Sequence, residues 1–120
     1  MKRIEKMESC IEQLKEFLAG PLHNVWLGDS HLQVYVRKGR RYLEGDKLIH
    51  MLDIANISAT EPGKGIGTAF IREAHVINPF SITYIESILN DQFLDHLLRE
   101  GWILAERCNP PCVYLKKTSS

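Results

Sequence analysis

The sequence predicts one α/β domain of the α+β kind: a mixed, mostly antiparallel sheet with a central parallel β-α-β unit, flanked by about three helices. Three observations lead there. Apolar residues recur at helical spacing in three separate stretches. Residues 31–58 carry strand periodicity on both sides of a turn and read as an antiparallel hairpin. The second hairpin strand then runs into a glycine turn, a helix and a β-branched apolar run, an order that requires a right-handed crossover and parallel pairing.

Each element has its own signal. Ile4, Met7, Ile11, Leu14 and Leu18 fall on one helical face, and Gly20-Pro21 stops the helix. Residues 21–30, rich in Gly, Pro, Asn and Asp, read as a loop. Leu32, Val34 and Val36 alternate with Gln33, Tyr35 and Arg37, and the strand extends toward Tyr42-Leu43. Glu44-Gly45-Asp46-Lys47 has turn chemistry, and residues 48–57 form a second, mostly apolar strand. After Gly63-Lys64-Gly65-Ile66-Gly67-Thr68, a helix carries Ile66, Phe70, Ala74 and Ile77 until Asn78-Pro79 breaks it. Residues 81–89 read as a buried strand. Asn90 stands where an N-cap belongs, before a helix with Phe93, Leu94, Leu97 and Leu98, and Gly101 suits its C-terminal cap. Two short strands, 102–106 and 113–117, are joined through Asn109-Pro110-Pro111.

Composition narrows the function. The chain has 120 residues and 13.8 kDa, which suits a single domain, 1–120. At this size folding buries about two-thirds of the unfolded chain's surface. Fifteen Lys and Arg balance fifteen Asp and Glu, so neither a non-specific nucleic-acid binder nor an electrostatic membrane anchor is expected. No apolar run approaches the length of a membrane span, and Ile4-Glu5-Lys6-Met7-Glu8 is too charged for a signal peptide. Three cysteines, Cys10, Cys108 and Cys112, form no disulfide framework, and a reduced, cytoplasmic setting is expected. Cys108 and Cys112 lack a second ligand pair and the histidines lack metal spacing, so no metal is expected.

The chemistry concentrates in the glycine turn. A strand ending in Gly63-Lys64-Gly65-Ile66-Gly67 and opening a helix presents several backbone N–H groups outward. Glycine allows close approach of a ligand, and the helix N-terminus adds about half a positive charge. Together they suit a phosphate or pyrophosphate. The Walker pattern fails here, and Thr68 stands where the dinucleotide pattern needs its third glycine.

What remains resembles the GNAT superfamily of N-acetyltransferases. Its signature is Arg/Gln-x-x-Gly-x-Gly/Ala between a hairpin strand and a helix, and here the hexapeptide is Pro62-Gly63-Lys64-Gly65-Ile66-Gly67. Pro62 takes the Arg/Gln position, and Lys64 is positioned to supply the missing charge. The family often places Gly-Phe or Gly-Tyr eleven residues after an Asn, a spacing that Asn90 and Gly101-Trp102 keep. Residues 31–117 carry the resemblance, and 52–57 with 84–90 also look like small phage-type acetyltransferase-like proteins.

The resemblance implies a GNAT-like fold with a shortened N-terminus, and acetyl-CoA as cosubstrate. Acetyl would pass by direct attack in a ternary complex to a primary amine on a protein, peptide or small molecule. Ile57 and Ser58 would offer backbone groups to pantetheine. Gly63, Lys64, Gly65, Ile66, Gly67 and Thr68 would hold the pyrophosphate, and Asn90 would lie near the pantetheine arm or thioester, or serve simply as an N-cap. A free Lys amine has a pKa of about 10.4 and must lose a proton before attack. Glu86 is the first candidate base: it shares a strand face with Ile82, Tyr84 and Ile88, and burial there would raise its pKa. Asp53 either joins the catalytic set with Glu86 and Asn90 or pairs with an arginine across the sheet. The family's usual acid, a Tyr seven residues after the Asn, is replaced by Leu97; His96 should point elsewhere, and Tyr84 or water would protonate the thiolate. The family's first strand is missing and the acceptor groove is then open, or completed by a second subunit in a homodimer. The second reading is a binding or inhibitory module on the same fold with little or no catalysis.

Overall fold

The computed structural model describes residues 2–43, 45–60, 65–106 and 108–117, the first six of these by backbone alone. The chain runs α1 (Lys2–Ala19), β1 (Asn24–Gly28), β2 (Leu32–Tyr42), β3 (Leu48–Ala59), α2 (Ile66–Ile77), β4 (Ile82–Ile85), α3 (Asp91–Arg99), β5 (Ile103–Leu104) and β6 (Val113–Lys116). Six strands form one sheet in the order β1-β2-β3-β4-β6-β5. The β3–β4 pair is parallel, bridged by α2, and the remaining pairs are antiparallel. The mixed α+β fold class expected from the pattern is the one observed. No helix among the described residues is long and apolar enough to cross a membrane.

The two faces of the sheet have different cores. On one face α1 and α2 press Leu14, Phe17, Phe70, Ile71 and Ala74 against Val34, Val36, Leu52, Ile54, Ile85 and Val113. Removal of this apolar area from water is the main stabilising term. The opposite face holds a smaller cluster of Met51, Ile82, Tyr84 and Tyr114, covered by Ala105 and Cys112 from the segment that returns between β5 and β6. The alternation of the strands produces this division: Val36 pairs with Ile54, and the neighbouring Arg37 pairs with Asp53 on the other face. A bulge between Tyr35 and Val36 sits close to that polar pair.

Three expectations need correction. Residues 21–30 are not all loop, because Asn24–Gly28 pairs with β2 as an edge strand. Its signal is short: Val25 and Leu27 alone turn toward the core, between Gly20-Pro21 and Gly28-Asp29. The turn beyond it is held by Asp29 Oδ1, which accepts the N–H groups of His31 at 2.7 Å and Leu32 at 2.9 Å. The Gln13 side chain of α1 fastens the end of β1. Its amide nitrogen donates to the Gly28 carbonyl at 2.8 Å, and its oxygen accepts the Gly28 N–H at 2.9 Å. The strand expected over 81–89 ends at Ile85, and the one expected over 102–106 keeps only Ile103–Leu104.

Asn78 explains the sharp break after α2. Its backbone N–H closes the helix on the Ala74 carbonyl, and its side chain donates to the Ile82 carbonyl and to Thr83 Oγ1, each at 2.8 Å. Phe70 is fully buried between α2 and the sheet. Phe70→Ala should lower unfolding free energy by about 3–5 kcal/mol; chemical denaturation checks this, and a loss of under about 1 kcal/mol would contradict the packing described.

Candidate functional site

The site begins where the parallel ladder stops. β3 and β4 pair only over Met51–Ile54 and Ile82–Ile85. The Glu86 N–H still donates to the Ile54 carbonyl at 3.0 Å. Ser87 then adopts φ +53, a left-handed value uncommon for a side-chain-bearing residue. Its N–H donates to Cys112 Sγ at 3.4 Å, and the Ile88 N–H donates to the Pro111 carbonyl at 2.7 Å. These bonds draw the chain away from β3. β3 itself continues to Ala59, paired with β2 alone. A wedge therefore opens between residues 55–59 and 86–90.

A cavity of about 450 Å³ occupies the helix side of this wedge, lined by Ile57, Ala59, Gly65, Ile66, Gly67, Thr68, Asn90, Gln92, Phe93 and His96. Gly65 caps α2 at φ +78, a conformation that favours glycine, and no side chain among the described residues caps the helix. The first-turn N–H groups of α2 thus have no intrahelical partner. A Cβ on Gly67 would sit 3.6 Å from Ile57 Cδ1, so the glycine keeps the floor of the cavity thin.

Most of the cofactor residues expected from sequence meet here. Ile57, Gly65, Ile66, Gly67, Thr68 and Asn90 all line the cavity. Ser58 pairs with Gln33 and is not among the lining residues. Gly63 and Lys64, with Pro62, lie outside the described residues. Asn90 is an N-cap, its Oδ1 accepting the Phe93 N–H at 3.1 Å, and it faces the cavity as well. His96 does not point elsewhere, as expected, but lines the cavity; Leu97 is the residue that turns into the core, fully buried. Gln92, Phe93 and His96 had no sequence signal as cavity residues, because which side of α3 faces the wedge is decided by Leu97 packing.

The candidate acids lie at the tip of the wedge, on the opposite sheet face. Asp53 is 2% exposed. Its Oδ2 accepts from Arg37 Nη2 at 3.0 Å and Arg41 Nη2 at 3.1 Å, whereas its buried Oδ1 has no hydrogen-bond partner. Glu86 Oε2 takes the same two guanidinium groups, Arg41 at 3.2 Å. Asp53 therefore does pair across the sheet, with two arginines. Burial, together with the adjacent Glu86, pushes the Asp53 pKa up to about 7, against the pull of Arg41 and Arg37. Glu86 goes the other way from the expectation. Burial does act to raise it, but the hydrogen bond with Asp53 and the two arginines outweigh burial, and its pKa is lowered. The proton of the pair thus belongs on Asp53. Arg37 and Arg41, four residues apart on one strand face, are the part of the site that sequence reasoning did not name.

Tyr84 packs with Ile82 on the same sheet face as the acids. The Arg41 guanidinium stands 4.4 Å above its ring, and its hydroxyl lies 3.5 Å from Cys108 Sγ. Burial and those thiol contacts raise its pKa well above the ordinary phenol range. Among the described residues no group of three His, Cys, Asp or Glu is placed to hold a metal.

No family model matches the chain, and no curated protein matches it in sequence. Solved structures do match in fold. A mutant of the toxin AtaT, bound to the C-terminus of the antitoxin AtaR and acetyl-CoA, superposes with a TM-score of 0.56 at 11% identity, over 72% of this chain and 58% of that one. The chain thus spans little more than half of the AtaT length. A KacTA–DNA complex matches at 0.59 and 12% identity, over 93% and 79% of the two chains. A tyrosine mutant of KacT matches at 0.55 and 13%, over 78% and 68%. At these identities the likeness establishes a GNAT-like fold.

The acid pair has a pH signature. A carboxyl raised from 3.8 to about 7 binds an extra proton in the folded state over that interval, so its contribution to stability is full below about 4 and declines as pH rises toward 7. Wild type should show this decline, and Asp53→Asn should lack that component. Carboxyl ¹³C NMR should find Asp53 titrating near 7 and Glu86 below its ordinary range; the reverse assignment would refute the arrangement.

Proposed function

We propose that the chain is an acetyl-CoA-dependent N-acetyltransferase acting on a primary amine, carried by a protein, a peptide or a small molecule. The observation that carries the reading is the wedge between β3 and β4, whose cavity is lined by Ile57 and Ala59 of β3 and by Gly65, Ile66, Gly67 and Thr68 at the N-terminus of α2. Unpaired strand backbone on one side and free amide N–H groups at the end suit a long ligand with amide groups and a pyrophosphate. The thin floor at Gly67 and the left-handed Gly65 fit such a ligand. When bound, acetyl-CoA supplies an activated acyl group and a thiol leaving group.

The residues then divide the work. Backbone groups of Ile57 and Ser58 hold the pantetheine arm. Gly65, Ile66, Gly67 and Thr68 hold the pyrophosphate, joined by Gly63 and Lys64. Asn90 keeps Oδ1 on the α3 cap and turns its amide nitrogen to the arm. The Glu86 carboxylate takes the proton that the attacking amine must lose, directly or through water, while Asp53 behind it, already protonated, titrates as one unit with Glu86. Arg37 and Arg41 keep Glu86 ionised and aimed. The new C–N bond forms as the C–S bond breaks, and water returns a proton to the thiolate, since Leu97 offers none.

The second reading, a binding or inhibitory module with little catalysis, is favoured by one observation: both acids are already engaged by two arginines. Kinetics separates the two. Glu86→Gln should slow acetyl transfer at least a hundredfold with CoA affinity intact, whereas absence of any transfer by wild type to a panel of amines supports the module. Gly67→Ala should weaken CoA binding about tenfold by calorimetry while Tm holds or rises, because Ala is the better helix former by about 1 kcal/mol. Unchanged affinity in Gly67→Ala argues against the wedge as the coenzyme site.

A further inference from the structure

Among the described residues lining the wedge cavity, His96 is the one with an ionisable side chain. Its Nε2 lies 3.5 Å from Glu100 Oε1, one helical turn further along α3. The other oxygen of Glu100 takes the Arg72 guanidinium of α2. The contact found for the ring among the described residues is that with Glu100, through Nε2. Arg72 stands one turn after Thr68 on α2. The chain of contacts His96–Glu100–Arg72 therefore sets the imidazole beside the first turns of α2, away from the β3–β4 tip where Asp53 and Glu86 lie.

Glu100 alone would repel an anion near His96. Its charge is already matched by Arg72, so it can orient the ring without spoiling the local potential. The wall facing α2 otherwise offers only the neutral polar groups of Asn90 and Gln92. Hydrogen bonds to a charged oxygen are about twice as strong as neutral ones, and His96 lines the cavity on α3, across from the first turn of α2.

We propose that His96 is a phosphate-binding residue of the coenzyme groove, its imidazolium form giving the Nε2 proton to Glu100, which is tied to Arg72, and the Nδ1 proton to a phosphate oxygen. The inference rests on the acetyl-CoA reading and extends it, because that reading gives the phosphates the glycine turn with Lys64 and Thr68 but no group on α3.

Calorimetric titration of wild type, His96→Gln and His96→Arg with CoA and dephospho-CoA tests it. His96→Gln should bind CoA about tenfold more weakly, and His96→Arg should recover most of that loss. A loss shared by dephospho-CoA puts the contact on the pyrophosphate; a loss confined to CoA puts it on the 3′-phosphate. Equal CoA affinity of wild type and His96→Gln, or equal losses in both variants, overturns the role of His96 and leaves the wedge reading standing. Failure of wild type to bind CoA overturns the coenzyme reading and this one with it.

Discussion

The parallel ladder between β3 and β4 ends after Ile54 and Ile85, and the arrangement of the molecule follows from that ending. Strands that stayed paired to their ends would leave no wedge. The separation is enforced from outside the pair. Cys112 and Pro111, on the segment before β6, capture the backbone of Ser87 and Ile88. On the other side β2 keeps β3 extended through Ala59. A strand held from one edge and a chain pulled from the other cannot meet, and the open backbone between them is satisfied by solvent or by a ligand.

The polar network at the tip of the wedge is a consequence of sheet alternation. The helix-side positions around Val36, Leu52 and Ile54 are aliphatic and dry, so the ionisable groups next to them, Arg37, Asp53 and Arg41, are sent to the opposite face. Asp53 is almost sealed there, and an unpaired buried carboxylate would cost several kcal/mol. Two guanidinium groups and a shared proton reduce that cost. Arg41 also stands over the Tyr84 ring, and so binds the acids while packing on an aromatic face. The same contacts that make the acids tolerable in the fold determine which of them carries the proton.

Periodicity made most of the architecture legible. The faces of α1 and α2, the hairpin, the crossover and the Asn90 cap all follow from spacing, because each is fixed by neighbours in sequence. The features that were not legible depend on distant partners. β1 is short and needs β2 to be a strand at all. β4 stops early because of Cys112, far along the chain. His96 and Leu97 are adjacent, and only packing against the core decides which of them faces the wedge. Glu86 looked like an acid made basic by burial; the arginines that reverse this sit on β2, and nothing in the local sequence of Glu86 reports them.

The clasp between Gln13 and Gly28 has a consequence for how this protein meets other chains. β1 is an outer strand of the sheet, and such strands expose N–H and C=O groups that invite another strand to add on. Gln13 presents a primary amide to Gly28 as a neighbouring peptide would, donating and accepting once each. The end of that margin is already paired from within, and an incoming strand would first have to displace a side chain anchored on α1. Protection against sheet-to-sheet self-association is thus written into a helix residue, one that touches neither the wedge nor the core.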